Sequence, residues 1–374
     1  MQDPESFCVL PFIHTTLNPF DPTQHSASAL PCCRYPHEHT ERFISTDQIN
    51  KSDTWKTLQD AIDNKEKLSA CNHCWRDEAS GLQSYREVNN KLFKPIIDDN
   101  SYREKKLRYL ELMFGNTCNL ACRSCSSVYS SKWQAVDKYL LSQNLNPMRL
   151  DNLSFPKWRD LDLTHLTSLK LMGGEPFYQK TALELLQYLD DNNILENVNL
   201  QIPTNGTIEL SDVWINLLNK AKLVNLFVSV DAYGELNNYI REGSDWHTIT
   251  NNITKINNSL NNTVLSINTV VTNYNVNVLS DLSTYLKENF PSMNHYQDLA
   301  YYPDYLDIAL LPAHIKDRLL EKNLPEKVIE YIKSKSPSEE AFAKLKTMTM
   351  TIDKYHKKCF SDYNKEMYDW IFDE

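Results

Sequence analysis

Three closely spaced cysteines are the first feature of this 374-residue chain that points to chemistry. Cys118, Cys122 and Cys125 form a Cys-x3-Cys-x2-Cys pattern just after an apolar run at residues 107–114. Three thiolates can hold a four-iron cluster and leave its fourth iron open. A catalytic metal site keeps an open position, whereas a structural site fills it. The alternatives for these residues are a zinc site or three buried thiols.

A second motif, Gly173-Gly174-Glu175-Pro176, follows further along the chain. Glycine is scarce, with only 7 in the whole sequence, against a usual share of ~7%. The glycines that remain therefore mark positions that need glycine's conformational freedom or small size. Taken together, the cysteine loop and this motif resemble those of the radical S-adenosylmethionine (SAM) enzymes.

The resemblance implies a [4Fe-4S] cluster on Cys118, Cys122 and Cys125, whose open iron binds SAM. In that family one electron from the cluster breaks SAM into methionine and a 5′-deoxyadenosyl radical, which takes a hydrogen atom from the substrate. The resemblance also implies that the segment ending at Pro176 binds the SAM amino group, with Glu175 accepting a charge-assisted hydrogen bond. Ser124 departs from the family, which often has an aromatic residue near the adenine at this position.

Five further polar residues are candidates for SAM contacts by the same resemblance. Asn205 follows one predicted strand, and Ser229 and Asp231 end the next, where strand alternation points both side chains the same way. The resemblance implies that Ser229 and Asp231 bind the ribose and carboxylate, that Arg241 binds the carboxylate, and that Asn268 lines the adenosine. The alternative is that these residues are polar caps and turn residues.

The fold is predicted from about residue 107 onward by alternating strand and helix patterns. Strands are expected at residues 107–114, 169–172, 198–203, 224–230, 263–272 and around Tyr301 to Leu311, with helices between them. Such alternation indicates right-handed βαβ units and a parallel sheet. We expect an α/β fold, a partial (β/α)6 TIM-like barrel like that of the radical SAM family, with an open doubly wound sheet as the alternative.

Three regions are predicted along the chain. Residues 1–100 are rich in Pro, His and Cys and are expected to form a small α+β domain that needs a metal staple. Residues 101–311 form the barrel, and residues 312–374 form a helical C-terminal cap on it.

A second cysteine set lies in the N-terminal region and consists of Cys8, Cys32, Cys71 and Cys74, with Cys33 as an alternative to Cys32. Its arrangement, with a possible hairpin before the second cysteine and a short helix before Cys-x2-Cys, resembles the twitch domain, a shortened SPASM domain. The resemblance implies an auxiliary [4Fe-4S] cluster fully ligated by protein. In most such enzymes the module follows the barrel, whereas here it precedes it.

Zinc is the rival for this second set. Cys71-x2-Cys74 has a spacing that suits zinc. Nitrogen ligands are also available nearby in sequence, from His14, His25, His37, His39 and His73.

Composition narrows the range of partners. The chain has 39 Lys and Arg against 49 Asp and Glu, a net charge of −10, which weighs against a nucleic-acid partner because such a partner needs a basic surface. No apolar run approaches the ~20 residues of a membrane span, so no membrane partner is expected. The acidic N-terminus lacks a signal-peptide core, and we expect a cytoplasmic protein whose nine cysteines serve metal or catalysis.

The function that these features predict is a radical SAM oxidoreductase. It would use SAM and an electron donor such as flavodoxin or ferredoxin, and would oxidatively modify a peptide or protein, or a small polar metabolite. Two alternatives remain: a non-catalytic iron- or zinc-stapled sensor module, and an RNA-modifying radical SAM enzyme.

Overall fold

The computed structural model describes residues 6–19, 29–36, 49, 51–79, 81, 83–149 and 153–372. Its centre is one eight-stranded sheet with the order β2-β1-β3-β4-β5-β6-β7-β8. The strands are β1 His14–Leu17, β2 Ala29–Leu30, β3 Tyr109–Met113, β4 Ser168–Met172, β5 Asn199–Thr204, β6 Leu223–Ser229, β7 Thr263–Val271 and β8 Asn294–Leu299. Among the strands of the described residues, only β1 and β2 pair antiparallel. The sheet is not closed within the described residues, and β2 and β8 are its edges.

Helices follow most of the parallel strands, and others precede and follow the barrel. They are α1 Leu10–Ile13, α2 Asp53–Asp63, α3 Asn72–Ala79, α4 Tyr85–Leu92, α5 Lys94–Asp98, α6 Trp133–Ser142, α7 Lys180–Asp191, α8 Asp212–Lys220, α9 Glu235–Ile240, α10 Trp246–Ser259, α11 Leu279–Asn289, α12 Ala313–Leu320, α13 Glu326–Lys333, α14 Glu339–His356 and α15 Lys365–Phe372. The predicted α/β class with a partial barrel is confirmed.

Strand alternation explains how the barrel forms. In β6, Val224, Leu226 and Val228 are fully buried, whereas the residues between them are half-buried. The fully buried positions belong to the same hydrophobic core as the leucines of α7, such as Leu185 and Leu189. One face of the sheet therefore packs against the helices, and the other face lines the barrel interior.

The prediction of the last strand was wrong. Residues Tyr301 to Leu311 contain two short 3-10 turns, at Asp304–Leu306 and Ile308–Leu310, and the strand β8 precedes them. β8 has the sequence NHYQDL, and its residues alternate between half-buried and exposed. An edge strand with this little apolar character lacks the hydrophobic pattern that identifies the other strands.

The segments on either side of the barrel both contact it. β1 and β2 pair antiparallel, with Thr16 opposite Leu30, in the region where a hairpin is expected, and β1 extends the barrel sheet by pairing with β3. The C-terminal helices share a hydrophobic core with α6 and α9, which includes Trp133, Tyr239 and Phe360. No helix in the described parts of the chain combines the length and the apolar character needed to cross a bilayer.

Candidate functional site

The cysteine loop begins directly after β3 and is held by backbone hydrogen bonds to the last residue of α9 and to the segment that follows it. Ala121 N donates to Glu242 O at 2.8 Å, and Arg123 N donates to Ile240 O at 2.8 Å. Because the loop has no helix or strand of its own before α6, these bonds satisfy its buried backbone groups. The loop conformation is therefore fixed by distant parts of the barrel.

The three thiols of this loop are close enough to influence one another. Burial raises the pKa of Cys122 to about 11, and it also raises the pKa of Cys118. For Cys125 burial again has the largest effect, followed by the charge of Cys122, and both raise its pKa. A metal must displace these protons, since the thiolate is the form that binds it.

The donor type of this loop suits an iron–sulfur cluster, because such clusters are held by cysteine thiolates. All nine cysteines of the chain are free, so none of the three is sequestered in a disulfide. The described residues contain no group of three or more His, Cys, Asp or Glu that could hold a single metal ion.

The Gly-Gly-Glu-Pro segment follows β4 and lies against the cysteine loop. Glu175 N donates to Thr117 O and Gly174 N donates to Tyr129 O, each at 3.0 Å. Gly174 has φ +54°, and a Cβ there would collide with the Thr117 carbonyl oxygen. Only glycine allows this close approach. Pro176 is buried and begins a short 3-10 turn.

The carboxylate of Glu175 is 1% exposed and is surrounded by donors. Thr204 Oγ1 donates to Oε1 at 2.8 Å, Phe177 N donates to Oε1 at 3.2 Å, and Asn205 N donates to Oε2 at 2.6 Å. Burial outweighs these donors and raises the pKa of Glu175 to about 7. A cationic group bound beside it would favour the ionised form.

Asn205 joins Glu175 to the cysteine loop. Its side-chain Nδ2 donates to Asn119 Oδ1 at 2.8 Å and lies 3.9 Å from Cys118 Sγ. Its Oδ1 accepts from Thr207 N at 2.9 Å. The predicted site residues Cys118, Glu175 and Asn205 are thus brought together by three separate βα loops.

A buried ion pair lies beside the same thiols. Arg241 Nη1 donates to Asp231 Oδ2 at 2.9 Å, and Val270 N donates to Asp231 Oδ1 at 2.9 Å. Burial lowers the pKa of Arg241, but the charges of Cys122 and Asp231 outweigh burial and raise it. Asp231 and Arg241 therefore engage each other in this structure.

The remaining two predicted SAM contacts are neighbours on the interior face of the barrel. Ser229 and Asn268 are register partners on β6 and β7, and both are half-buried. Ser229 ends β6, and Asn268 lies three residues before the end of β7. Ligand sites of such barrels occur at the carboxyl ends of the strands.

The N-terminal cysteines surround one cavity of about 40 Å³ that Cys8, Cys32, Cys71 and Cys74 all line. Burial raises the pKa of Cys8 to about 12 and that of Cys71 to about 11, and Cys71 and Cys74 raise that of Cys8 further. Cys33 does not line this cavity. It faces Glu111, Lys170 and Tyr85 instead, and burial raises its pKa to about 11.

The histidines proposed as alternative zinc ligands do not all lie near this cavity. His73 lines the same cavity. His14 lies in β1, where its Nδ1 is 2.8 Å from Pro31 O. Its pKa is lowered by burial, and Glu111 acts in the opposite direction. His25, His37 and His39 lie outside the described residues.

Sequence reasoning missed Arg123, which stands between two of the proposed ligands. Its guanidinium is 1% exposed, lies 3.6 Å from the centre of the Tyr239 ring, and donates to Asp353 Oδ1 at 2.7 Å. A single arginine in a loop produces no hydrophobic periodicity that would predict its burial. Its partner, Asp353, lies in α14, 230 residues further along the chain. The only hint was a cation inside the motif itself.

Comparisons with known proteins gave matches among solved structures alone. No protein-family model matches the chain, and no curated protein matches it. Among solved structures, anSMEcpe with bound AdoMet is 20% identical over 53% of this chain and 51% of its own, with a TM-score of 0.37. Streptococcus suis SuiB bound to S-adenosylmethionine is 16% identical over 68% of this chain and 61% of its own, with a TM-score of 0.36.

A third match is TsrM from Kitasatospora setae, a radical S-adenosylmethionine methyltransferase, which is 13% identical over 47% of this chain and 34% of its own, with a TM-score of 0.29. The chain spans less than two thirds of each of these three proteins. At such TM-scores the likeness carries no functional weight, and the function proposed below rests on this chain's own residues.

Proposed function

We propose that this protein is a radical SAM enzyme. The observation that carries the proposal is the meeting of Cys118 and Glu175 around Asn205, which bonds to the Glu175 carboxylate through its backbone and lies 3.9 Å from Cys118 Sγ through its amide. Thiolates bind iron. A buried carboxyl whose pKa is raised to about 7 gains its charge when an ammonium group binds beside it. One site therefore offers ligands for a cluster and for the amino group of SAM.

A four-iron cluster on Cys118, Cys122 and Cys125 supplies, when bound, the electron that splits SAM into methionine and a 5′-deoxyadenosyl radical. The chain's own residues orient SAM and exclude water. Glu175 accepts the SAM ammonium, and the glycine before it brings the backbone close. Ser229 and Asn268 offer hydrogen-bonding groups to the ribose and adenosine. Arg241 balances negative charge near Cys122.

The N-terminal module holds an auxiliary [4Fe-4S] cluster in this proposal, with zinc as the alternative metal. The support is that Cys8, Cys32, Cys71 and Cys74 line one cavity. Four protein ligands would leave no iron open, so these residues would hold a cluster for electron transfer and would offer no second site for SAM. This property suits a net oxidation of the substrate, hence an oxidoreductase that modifies a peptide, a protein or a small polar metabolite. Flavodoxin or ferredoxin would supply the electrons for SAM cleavage.

The deciding experiment is SAM cleavage after anaerobic reconstitution with iron and sulfide. Wild-type protein given SAM and dithionite is expected to form 5′-deoxyadenosine, and the variant with Cys118, Cys122 and Cys125 replaced by Ala is expected to form none. Cys359→Ala is the matched control, since Cys359 belongs to neither cysteine set and its Sγ lies 3.0 Å from Ser361 Oγ in the C-terminal segment. Equal product from the triple variant would end the proposal. A wild-type protein that loads iron and leaves SAM intact would favour the sensor module instead.

An RNA substrate is the second alternative, and the net charge of −10 weighs against it. A filter-binding titration with total tRNA at low salt tests it directly. Binding that weakens steeply as salt rises would support RNA as the substrate.

A further inference from the structure

A row of polar side chains crosses the barrel interior below the cysteine loop. Thr16, Glu111, Lys170, Gln201 and Asn225 are register partners on five neighbouring strands, β1, β3, β4, β5 and β6. Register partners on adjacent strands point to the same face of the sheet. These five side chains therefore lie at one level of the barrel.

The face that they share is the interior one. The alternate residues Leu110, Leu169, Leu200 and Val224 are fully buried in the core between the sheet and the helices. Because side chains alternate across a strand, the polar row points away from the helices. Its members are intrinsic to the strands and do not depend on a loop for their position.

Glu111 lies next to Thr16 at one end of the row and has no exposed surface. It accepts hydrogen bonds from Thr16 Oγ1 at 3.0 Å and from the hydroxyls of Tyr85 and Tyr109 at 2.8 Å each. Burial raises the pKa of Glu111, but Lys170 and the hydroxyl donors outweigh burial and lower it to about 2. This carboxylate is ionised and surrounded by donors, so it offers no free acceptor to a ligand.

The other end of the row is open. The only hydrogen bond of the Lys170 ammonium to a described residue is to Glu111 Oε1 at 3.4 Å, and the side chain is 32% exposed. Gln201 and Asn225 are half-buried, and the amides of both lack a hydrogen-bonding partner among the described residues. Their polar atoms are open to solvent, and a ligand oxygen can replace the water that they bind. Three donors on adjacent strands thus face the interior together.

We propose that Lys170, Gln201 and Asn225 form a subsite for the carboxylate of a substrate. The ammonium of Lys170 has two N–H groups left for the ligand oxygens, and the two amides donate alongside it. A single lysine already bridged to a carboxylate suits a monoanion better than a phosphate, which proteins usually meet with arginines or a helix N-terminus. The proposal names the substrate class for the enzyme proposed above and rests on that function.

Apolar side chains lie between this subsite and the cysteine loop, on the next interior-facing positions of the strands. Met113, Met172 and Phe227 lie two residues further along their strands and so face the same interior. Lys170 precedes Gly173 by three positions, about 10 Å of extended strand. The reacting carbon of the ligand therefore lies several bonds from its carboxylate, with an apolar stretch between them.

Ligand-observed NMR on the full chain tests the subsite without turnover. The probes are N-acetylglycylglycine, which has a free carboxylate, and its C-terminal carboxamide. Wild-type protein is expected to bind the carboxylate and not the carboxamide, and Lys170→Met is expected to weaken binding about tenfold or more, as the loss of a charged partner does. Gln201→Leu is the second variant: it removes no hydrogen bond to a described residue and is expected to weaken binding severalfold.

The matched control is Lys180→Met, because Lys180 begins the helix after the same strand and is 87% exposed. Equal binding of the two probes, no binding of either, or no effect of Lys170→Met would overturn the subsite. Protein that forms 5′-deoxyadenosine and binds neither probe would contradict this inference alone. Protein that binds the carboxylate through Lys170 but never cleaves SAM would contradict the proposed function alone.

Discussion

Arg123 and Asp353 are 230 residues apart in sequence and are joined by a hydrogen-bonded ion pair of 2.7 Å. Asp353 also accepts from Tyr239 OH at 2.8 Å and, through Oδ2, from Phe360 N at 2.8 Å. Arg123 lies between two cysteines of the loop. The C-terminal cap is therefore part of the structure that positions the thiols, and is more than a cover over the barrel.

Replacing Asp353 by Asn is expected to destabilise the protein by about 3–5 kcal/mol, because it leaves the buried Arg123 without its counter-charge. Iron loading at the cysteine loop should fall as well. Thermal unfolding and iron content after reconstitution measure the two effects. Asp369→Asn is the control, since it breaks a largely exposed pair with Lys365 in the same cap that is worth ~1 kcal/mol or less. Equal effects of the two variants would show that the Arg123 pair does not hold the loop.

Local pattern was enough to predict most of the barrel. The strands from β3 to β7 start and end within about two residues of the expected positions, since each has a fully buried face that repeats every second residue. The partner of Arg123 could not be predicted, because a contact across 230 residues leaves no periodic signal. The sequence also left Cys32 and Cys33 equivalent, since choosing between adjacent residues requires the direction of the chain at that turn.

Gly174→Ala is expected to disrupt the contact between the Gly-Gly-Glu-Pro segment and the cysteine loop. The new methyl group would meet the Thr117 carbonyl at a backbone φ of +54°, which should cost about 3 kcal/mol or more. Gly81→Ala is the matched control, because Gly81 has φ +74° and open space around the added Cβ, so only the backbone strain of about 1–2 kcal/mol applies. Urea unfolding compares the two variants. Similar losses of unfolding free energy would mean that the close approach at Thr117 is unimportant.

Cys32→Ala and Cys33→Ala are expected to differ in metal content. Cys32 lines the N-terminal cavity with three other cysteines, whereas Cys33 faces Glu111 and Tyr85. Wild-type protein should contain about eight irons with matching sulfide, Cys32→Ala about four, and Cys33→Ala the wild-type amount. Iron, sulfide and zinc are counted on protein reconstituted without oxygen. About four irons and one zinc in the wild type would make the N-terminal site a zinc site, and loss of iron from Cys33→Ala alone would exchange the roles of the two cysteines.

The pH dependence of stability should reveal Glu175. Burial raises the pKa of this carboxyl from 4.5 to about 7, so between these values the folded protein holds a proton that the unfolded chain has lost. The free energy of unfolding of the metal-free protein should therefore fall as pH rises through this window, by up to about 1.4 kcal/mol per pH unit from this group. Glu175→Gln replaces the carboxyl by an amide that does not titrate, so this contribution to the pH dependence of stability is lost. Its absolute stability drops, since one of the three donors around the carboxylate then faces an amide N–H₂.

The slope with pH, and not the absolute value, is thus the quantity to compare between wild type and Glu175→Gln, by urea unfolding at pH 5, 6 and 7. Glu184→Gln is the control, because Glu184 is a half-exposed residue of α7 and should leave the slope as it is in the wild type. Parallel curves for wild type and Glu175→Gln would mean that Glu175 is already ionised in the folded protein. It would then not be the group poised to gain its charge when the SAM ammonium binds.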